Sequence, residues 1–148
     1  MKKSKGFTLV ELLIVIIIIG ILAGMMMLST GSATDKAEAT KIVSDMRNIK
    51  AACLMYYADN NKWPTTTDFS KVVTYLDQDP GTKYALIDGT SSDLYVKNGA
   101  GLVLTPNKGV AAKLAAMAEQ AGLTKSAKPY VATEKYDGTA TVYMVIKK

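Results

Sequence analysis

One carboxylate, Glu11, stands alone in an apolar run from Phe7 to Leu28 that follows a short basic leader ending at Gly6. A helix needs roughly 20 such residues to cross a hydrocarbon core about 30 Å thick. An ionised acid inside a span is expensive and marks a functional site whose partner has to be found. The other chemistry-bearing residue types are sparse. A lone Cys53 has no internal disulfide partner, and with no histidine there is no Ser-His-Asp or Cys-His arrangement and no imidazole metal site. No stretch pairs acids beside an apolar pocket signature, so a structural or binding role is expected rather than an enzyme.

Four acids, Asp77, Asp79, Asp88 and Asp93, have the oxygen chemistry of calcium, which takes six to eight such ligands, but they form no dense acidic loop. The expectation is therefore no cofactor and no metal, with calcium as the one alternative. Lys108, Lys113, Lys125, Lys128, Lys147 and Lys148 are scattered like a solvated surface. The net charge of +5 is concentrated in Lys2, Lys3 and Lys5, so a basic nucleic-acid surface is not indicated.

The basic leader and apolar run fit three kinds of targeting segment. A secretory signal has an apolar region of about 7 to 15 residues, shorter than this one, although Gly31-Ser32-Ala33 would serve as its small-residue cleavage site. A plain signal anchor, with the lysines held inside, explains the topology but leaves Glu11 without a role. The third reading accounts for the acid. Residues Lys2, Lys3, Lys5, Gly6, Phe7, Thr8, Leu9, Val10, Glu11, Leu12 and Leu13 resemble the N-terminus of type IV pilins and the related pseudopilins.

That resemblance implies cleavage between Gly6 and Phe7 by a prepilin peptidase and N-methylation of Phe7. It further implies a helical filament of identical subunits, built with an inner-membrane platform protein and a cytoplasmic assembly ATPase. The subunit would wait as a single-pass protein of the inner membrane and end in an extracellular or periplasmic filament. Two departures accompany the match. No proline precedes Pro64, so any kink in the first helix must rest on glycines, and the C-terminal region lacks the cysteine pair that many pilins use to close a loop.

The chemistry of the motif is simple. Cleavage before Phe7 creates an ammonium group, and Glu11 is expected one helical turn away on the same face. The two charges satisfy each other within a subunit or between neighbours, and in a low-dielectric setting that pairing is far stronger than in water. Between neighbours it would set the axial register of a polymer. Gly20 and Gly24 have the G-x-x-x-G spacing that lets membrane helices approach closely.

The elements that position this segment follow from periodicity. Ala39, Ile42, Met46, Ile49, Cys53 and Tyr56 recur at spacings of three and four, so one helix is expected from Phe7 to about Asn60, on the order of 80 Å long. Asn60 to Pro64 stops it. A short helix through about Leu76, capped by Thr67 or Asp68, should bury Phe69, Val72, Val73 and Leu76. Strands are expected at Tyr84–Ile87 and Leu94–Val96, with another at Leu102–Leu104. A helix from Val110 to Ala121 ends at Gly122, and a terminal hairpin turns at Asp137-Gly138 into a strand with Val142, Met144 and Ile146.

The fold class is therefore α+β and pilin-like: a long N-terminal helix, apolar in its first half and packed on an antiparallel sheet in its second, with short accessory helices. The divisions are a leader 1–6, a transmembrane or filament-core helix 7–28, an amphipathic continuation 29–61 and a head 62–148. The expected function is a filament subunit, pilin or pseudopilin. The alternative is a non-polymerising, membrane-anchored extracellular binding protein.

Overall fold

The computed structural model describes residues 6–89, 93–98, 108–128, 132–138 and 141–147. The leader lysines, the strand expected at Leu102–Leu104 and Lys148 lie outside these. The chain divides into two compact units, Met1–Thr34 and Asp35–Lys148, and a single helix, α1 (Leu9–Asn60), contributes to both. In the first unit α1 is bare: its large apolar side chains from Leu9 to Met27 are between 48% and 83% exposed. Among the described residues it is the one helix long and apolar enough to cross a membrane.

In the second unit α1 becomes one wall of a core. Ala39, Val43, Met46, Ile49, Ala52, Cys53 and Tyr56 are buried, so the stripe read from the sequence is the packed face, broadened by Val43 and Ala52. Ile42 packs against the edge of that core. Burial pushes the Cys53 thiol up to about 12, which leaves it a packed apolar group rather than a nucleophile. The helix ends where Asn61 turns left-handed at φ 53°, its N–H bonded to the Tyr57 carbonyl at 2.8 Å. Asparagine tolerates that conformation better than most residues, and Trp63 then stacks on Tyr57 at 4.7 Å.

A 3-10 turn, Thr66–Asp68, leads into the short helix α2 (Phe69–Val73), and three-residue bonds carry the chain on to Leu76. Asp68, one of the two expected caps, is the N-cap of α2, and Thr65 caps the 3-10 turn before it. The Thr65 N–H and hydroxyl both donate to Asp68 Oδ2, at 3.0 and 2.7 Å. The hydrogen bond from Lys71, with those from Thr65, holds the Asp68 carboxyl well below the usual range.

Four strands, β1 (Tyr84–Asp88), β2 (Leu94–Asn98), β3 (Leu123–Thr124) and β4 (Val142–Lys147), form an antiparallel sheet in the order β1-β2-β4-β3. Alternation puts Tyr84 and Leu86 of β1 and Val142, Met144 and Ile146 of β4 into the same core as the α1 stripe. In β2 three successive residues, Leu94, Tyr95 and Val96, are buried, at the register shift in its pairing with β4. The Tyr84 hydroxyl donates to Asp45 Oδ2 of α1 at 2.9 Å, and desolvation together with that carboxylate pushes the phenol up.

Helix α3 (Lys108–Ala121) adds Val110, Leu114 and Ala118 to the core and stops at Gly122, whose φ of 66° suits a residue without a Cβ. At its N-terminal end the Asp35 carboxylate lies against Gly109, in the space a Cβ would fill. Negative charge there faces the positive end of the α3 dipole.

The terminal hairpin of the sequence reading is replaced by something else. Residues 132–134 form a 3-10 turn, not a strand, and the partner of β4 on that side is the two-residue β3, through Leu123↔Met144 and Thr124↔Tyr143. Lys135 instead makes an isolated bridge to Thr124. A strand of two residues has no period to read, so it is defined by its neighbour alone.

Candidate functional site

The apolar helix starts at Leu9, with Thr8 outside it as the N-cap: the Thr8 carbonyl already accepts the Leu12 N–H at 3.2 Å. Thr8 donates both its backbone N–H and its hydroxyl to Glu11 Oε2, each at 2.8 Å, and its hydroxyl oxygen accepts the Glu11 N–H at 3.2 Å. This reciprocal arrangement is a capping box, the local answer to the unpaired N–H groups that every helix start leaves. Inside a bilayer that answer matters more, because no water is present to satisfy them.

The expected juxtaposition of Phe7 and Glu11 is thereby refined. Phe7 precedes the helix, so its position relative to Glu11 is set by the cap and not by a helical turn. Thr8 is the functional residue that the sequence reading passed over. Its signal was present as T-x-x-E at the head of an apolar run. The cap bonds fall on one carboxylate oxygen, Oε2, and a carboxylate has acceptor sites on both.

Gly6 and Phe7 sit exposed immediately before the cap, as a cleavage point requires. Gly20 and Gly24 lie within α1, and a Cβ built on either would meet nothing within 4 Å. Both positions are therefore open to a close-approaching partner helix.

Among its described residues the head shows no comparable concentration of chemistry. Among the described residues no group of three or more metal-type side chains converges. Asp79 Oδ1 accepts the Gly81 N–H at 2.8 Å, while Asp93 is buried beside the Tyr95 hydroxyl at 3.4 Å, so those acids serve turns and a core tyrosine. Of the lysines considered for nucleic acid, Lys125 lies 3.9 Å from Asp137 and Lys128 lies 3.8 Å from Glu134. Lys113 and Lys147 belong to separate elements, α3 and β4. An open groove of about 580 Å³ between α1 and the turn at 75–80 has a mixed lining that includes Asp45, Asn48, Met55 and Tyr75. The Asp45 carboxylate is already engaged by Tyr84.

Comparison with known proteins points to the same segment. Residues 1–27 match the family model of the prokaryotic N-terminal methylation motif, and residues 33–98 match that of the PilW C-terminal region. The chain is 36% identical over 89 residues to the type II secretion system core protein G of Klebsiella michiganensis, covering 60% of this chain and 63% of that protein. It is 42% identical over 64 residues to the core protein G of Escherichia coli, covering 43% and 44% respectively. It thus spans less than two thirds of the length of these relatives. Among solved structures it is similar to the major type IV pilin PilA1 from Clostridium difficile, with a TM-score of 0.56 and 27% identity over 79% of this chain and 99% of that one.

Proposed function

We propose, on its likeness to type IV pilins and type II secretion pseudopilins, that the chain is a structural subunit of a pilus-like filament, anchored by α1 in a membrane until it assembles. The observation that carries this reading is the pairing of a capped carboxylate with an uncovered apolar helix. Glu11 is held at the very start of a segment whose described large apolar side chains are all about half exposed or more. An anchor alone explains the apolar surface. It does not explain an acid that is costly in lipid and fixed by two hydrogen bonds next to the cleavage motif.

On this reading a prepilin peptidase cuts after Gly6, and the new Phe7 amine, once methylated, is a cation beside Thr8. The Glu11 carboxylate of the same or a neighbouring subunit neutralises it. The head supplies the filament surface and contributes no catalysis, metal or cofactor. The platform protein and assembly ATPase of such systems complete the set of partners.

Mass spectrometry of the N-terminal peptide from native membranes or sheared surface material tests the first step. The expected chain begins at N-methylated Phe7. A chain beginning at Met1 would return the molecule to the status of a plain membrane-anchored binding protein, and one beginning at Thr34 would make it a secreted head.

The open faces of Gly20 and Gly24 support a further expectation, that partner helices pack against them in the filament. Since a Cβ at either site meets nothing within 4 Å among the described residues, leucine there is expected to leave processing and head stability unchanged while reducing filament yield. Undiminished filaments from both variants would remove the glycines from the packing face.

A further inference from the structure

The stretch between α3 and β4 is tied down by polar contacts that converge on one side chain. Glu134 Oε2 accepts the Ser126 hydroxyl in a short bond, and Glu134 Oε1 lies 3.8 Å from Lys128 Nζ. The backbone is laced across the same gap: Lys125 N–H to Glu134 O at 2.9 Å, Tyr136 N–H to Leu123 O at 3.1 Å, and the bridge from Thr124 to Lys135. Lys125 reaches Asp137 at 3.9 Å, and Lys135 reaches Glu119 of α3 at 3.2 Å. Nothing covalent helps, since the one cysteine of the chain is in α1.

Beneath this closure sits a group held at a loss. Tyr136 is 1% exposed, and its hydroxyl is buried without a hydrogen-bond partner among the described residues. Burying a hydroxyl unpaired forfeits its hydration with no return, which subtracts from what burial of the Tyr136 ring in the core contributes to the closed state. The segment also joins the sheet through only the two residues of β3, at the sheet edge.

We propose that residues 123–128 and 132–138 form a clasp closed by Glu134, which opens as a unit, ahead of the rest of the head, when Glu134 loses its charge. The Ser126 hydroxyl, followed by the nearby Lys128 and Lys125, holds the Glu134 carboxyl below its ordinary value. A carboxyl depressed by folding contributes stability that is fully present above its unfolded value near 4.5 and is lost as the pH falls through the lower folded value. The groups that face the clasp are Ser126, Lys125 and Lys128 on one side, and Asp137 and the Lys135–Glu119 pair on the other. Opening would uncover Leu123 and Tyr136, which are buried in the closed state.

Hydrogen exchange read by mass spectrometry on the full chain in detergent tests this, at pH 7 and pH 3.5 with intrinsic rates corrected. In the acid sample, peptides from the clasp should lose their protection severalfold, with a ceiling of about tenfold because pH 3.5 lies about one unit below the unfolded value, while peptides over Met46–Tyr56 and Val142–Ile146 keep theirs. Glu134→Gln should exchange fast in the clasp already at pH 7 and show no further acid response there. Tyr136→Phe, which deletes the unpaired hydroxyl, should slow clasp exchange. Simultaneous loss of protection in clasp and core overturns the proposal, as does an acid response of Glu134→Gln that matches the parent chain.

Discussion

Replacing Glu11 with alanine is expected to leave a subunit that inserts and is processed but does not polymerise. Insertion should survive because the substitution deletes the single charged group in the apolar run and makes the span more lipid-compatible. Assembly should fail because the Phe7 ammonium would then enter an apolar filament core with no counter-charge. Every added subunit loses the same contact, so recovered filament should fall by about tenfold or more, the effect of a modest loss at a single association step.

Alanine also removes the cap, and glutamine separates the two effects. A capping box works with glutamine as well as glutamate, so Glu11→Gln keeps bonds to Thr8 while losing the charge. If Glu11→Gln behaves like Glu11→Ala, charge is what assembly needs. Should Glu11→Gln assemble normally and Glu11→Ala not, the role of the residue lies in the geometry of the helix start. Wild-type yield from both variants, measured as sheared filament against total processed subunit, would sink the assembly role altogether.

The second large effect is expected in the head. Ile49 is fully buried on the α1 stripe, in one cluster with Met46, Cys53, Leu114 and Met144, whereas Leu54 on the same helix is 48% exposed. Truncating a buried isoleucine to alanine costs about 2–5 kcal/mol, from lost transfer energy plus the cavity that a close-packed core does not refill. For a head of this size that is a fall in Tm on the order of 10 °C. Leu54→Ala leaves no cavity and should change stability by less than about 0.5 kcal/mol. Thermal melts of the two variants followed by circular dichroism are the check. Equal shifts would mean that the buried face of α1 is not the one described.

Much of this molecule was legible because it is periodic. The stripe from Ala39 to Tyr56 announced the packed face of α1, and the break at Asn61 and Pro64 announced its end, since helix geometry is a local property of the chain. The same holds for β1, β2, α3 with its Gly122 stop, and the inward alternation of β4. At the candidate site the apolar run, the leader and Glu11 needed no structure at all, because an acid in a membrane-length segment stands out by composition. Thr8 was missed although its signal is equally local. Treating Phe7 as the first helical residue placed Thr8 inside the helix, where a threonine has no capping role.

What the sequence could not decide is everything that depends on a partner distant along the chain. The order β1-β2-β4-β3 is set by which apolar faces meet over α1, and no residue pattern records that choice. The two-residue β3 exists only because β4 offers it a ladder, and the Glu134 clasp only because Ser126 and Lys128 are folded back onto it. Asp35 at Gly109 is a similar case: a carboxylate and a glycine far apart in sequence, joined because α3 starts against α1. The local periodicities determined a membrane-length helix, its Glu11 and the elements of an α+β head. Tertiary packing alone decided how those elements pair, since a backbone group or a charge accepts whichever partner the fold delivers.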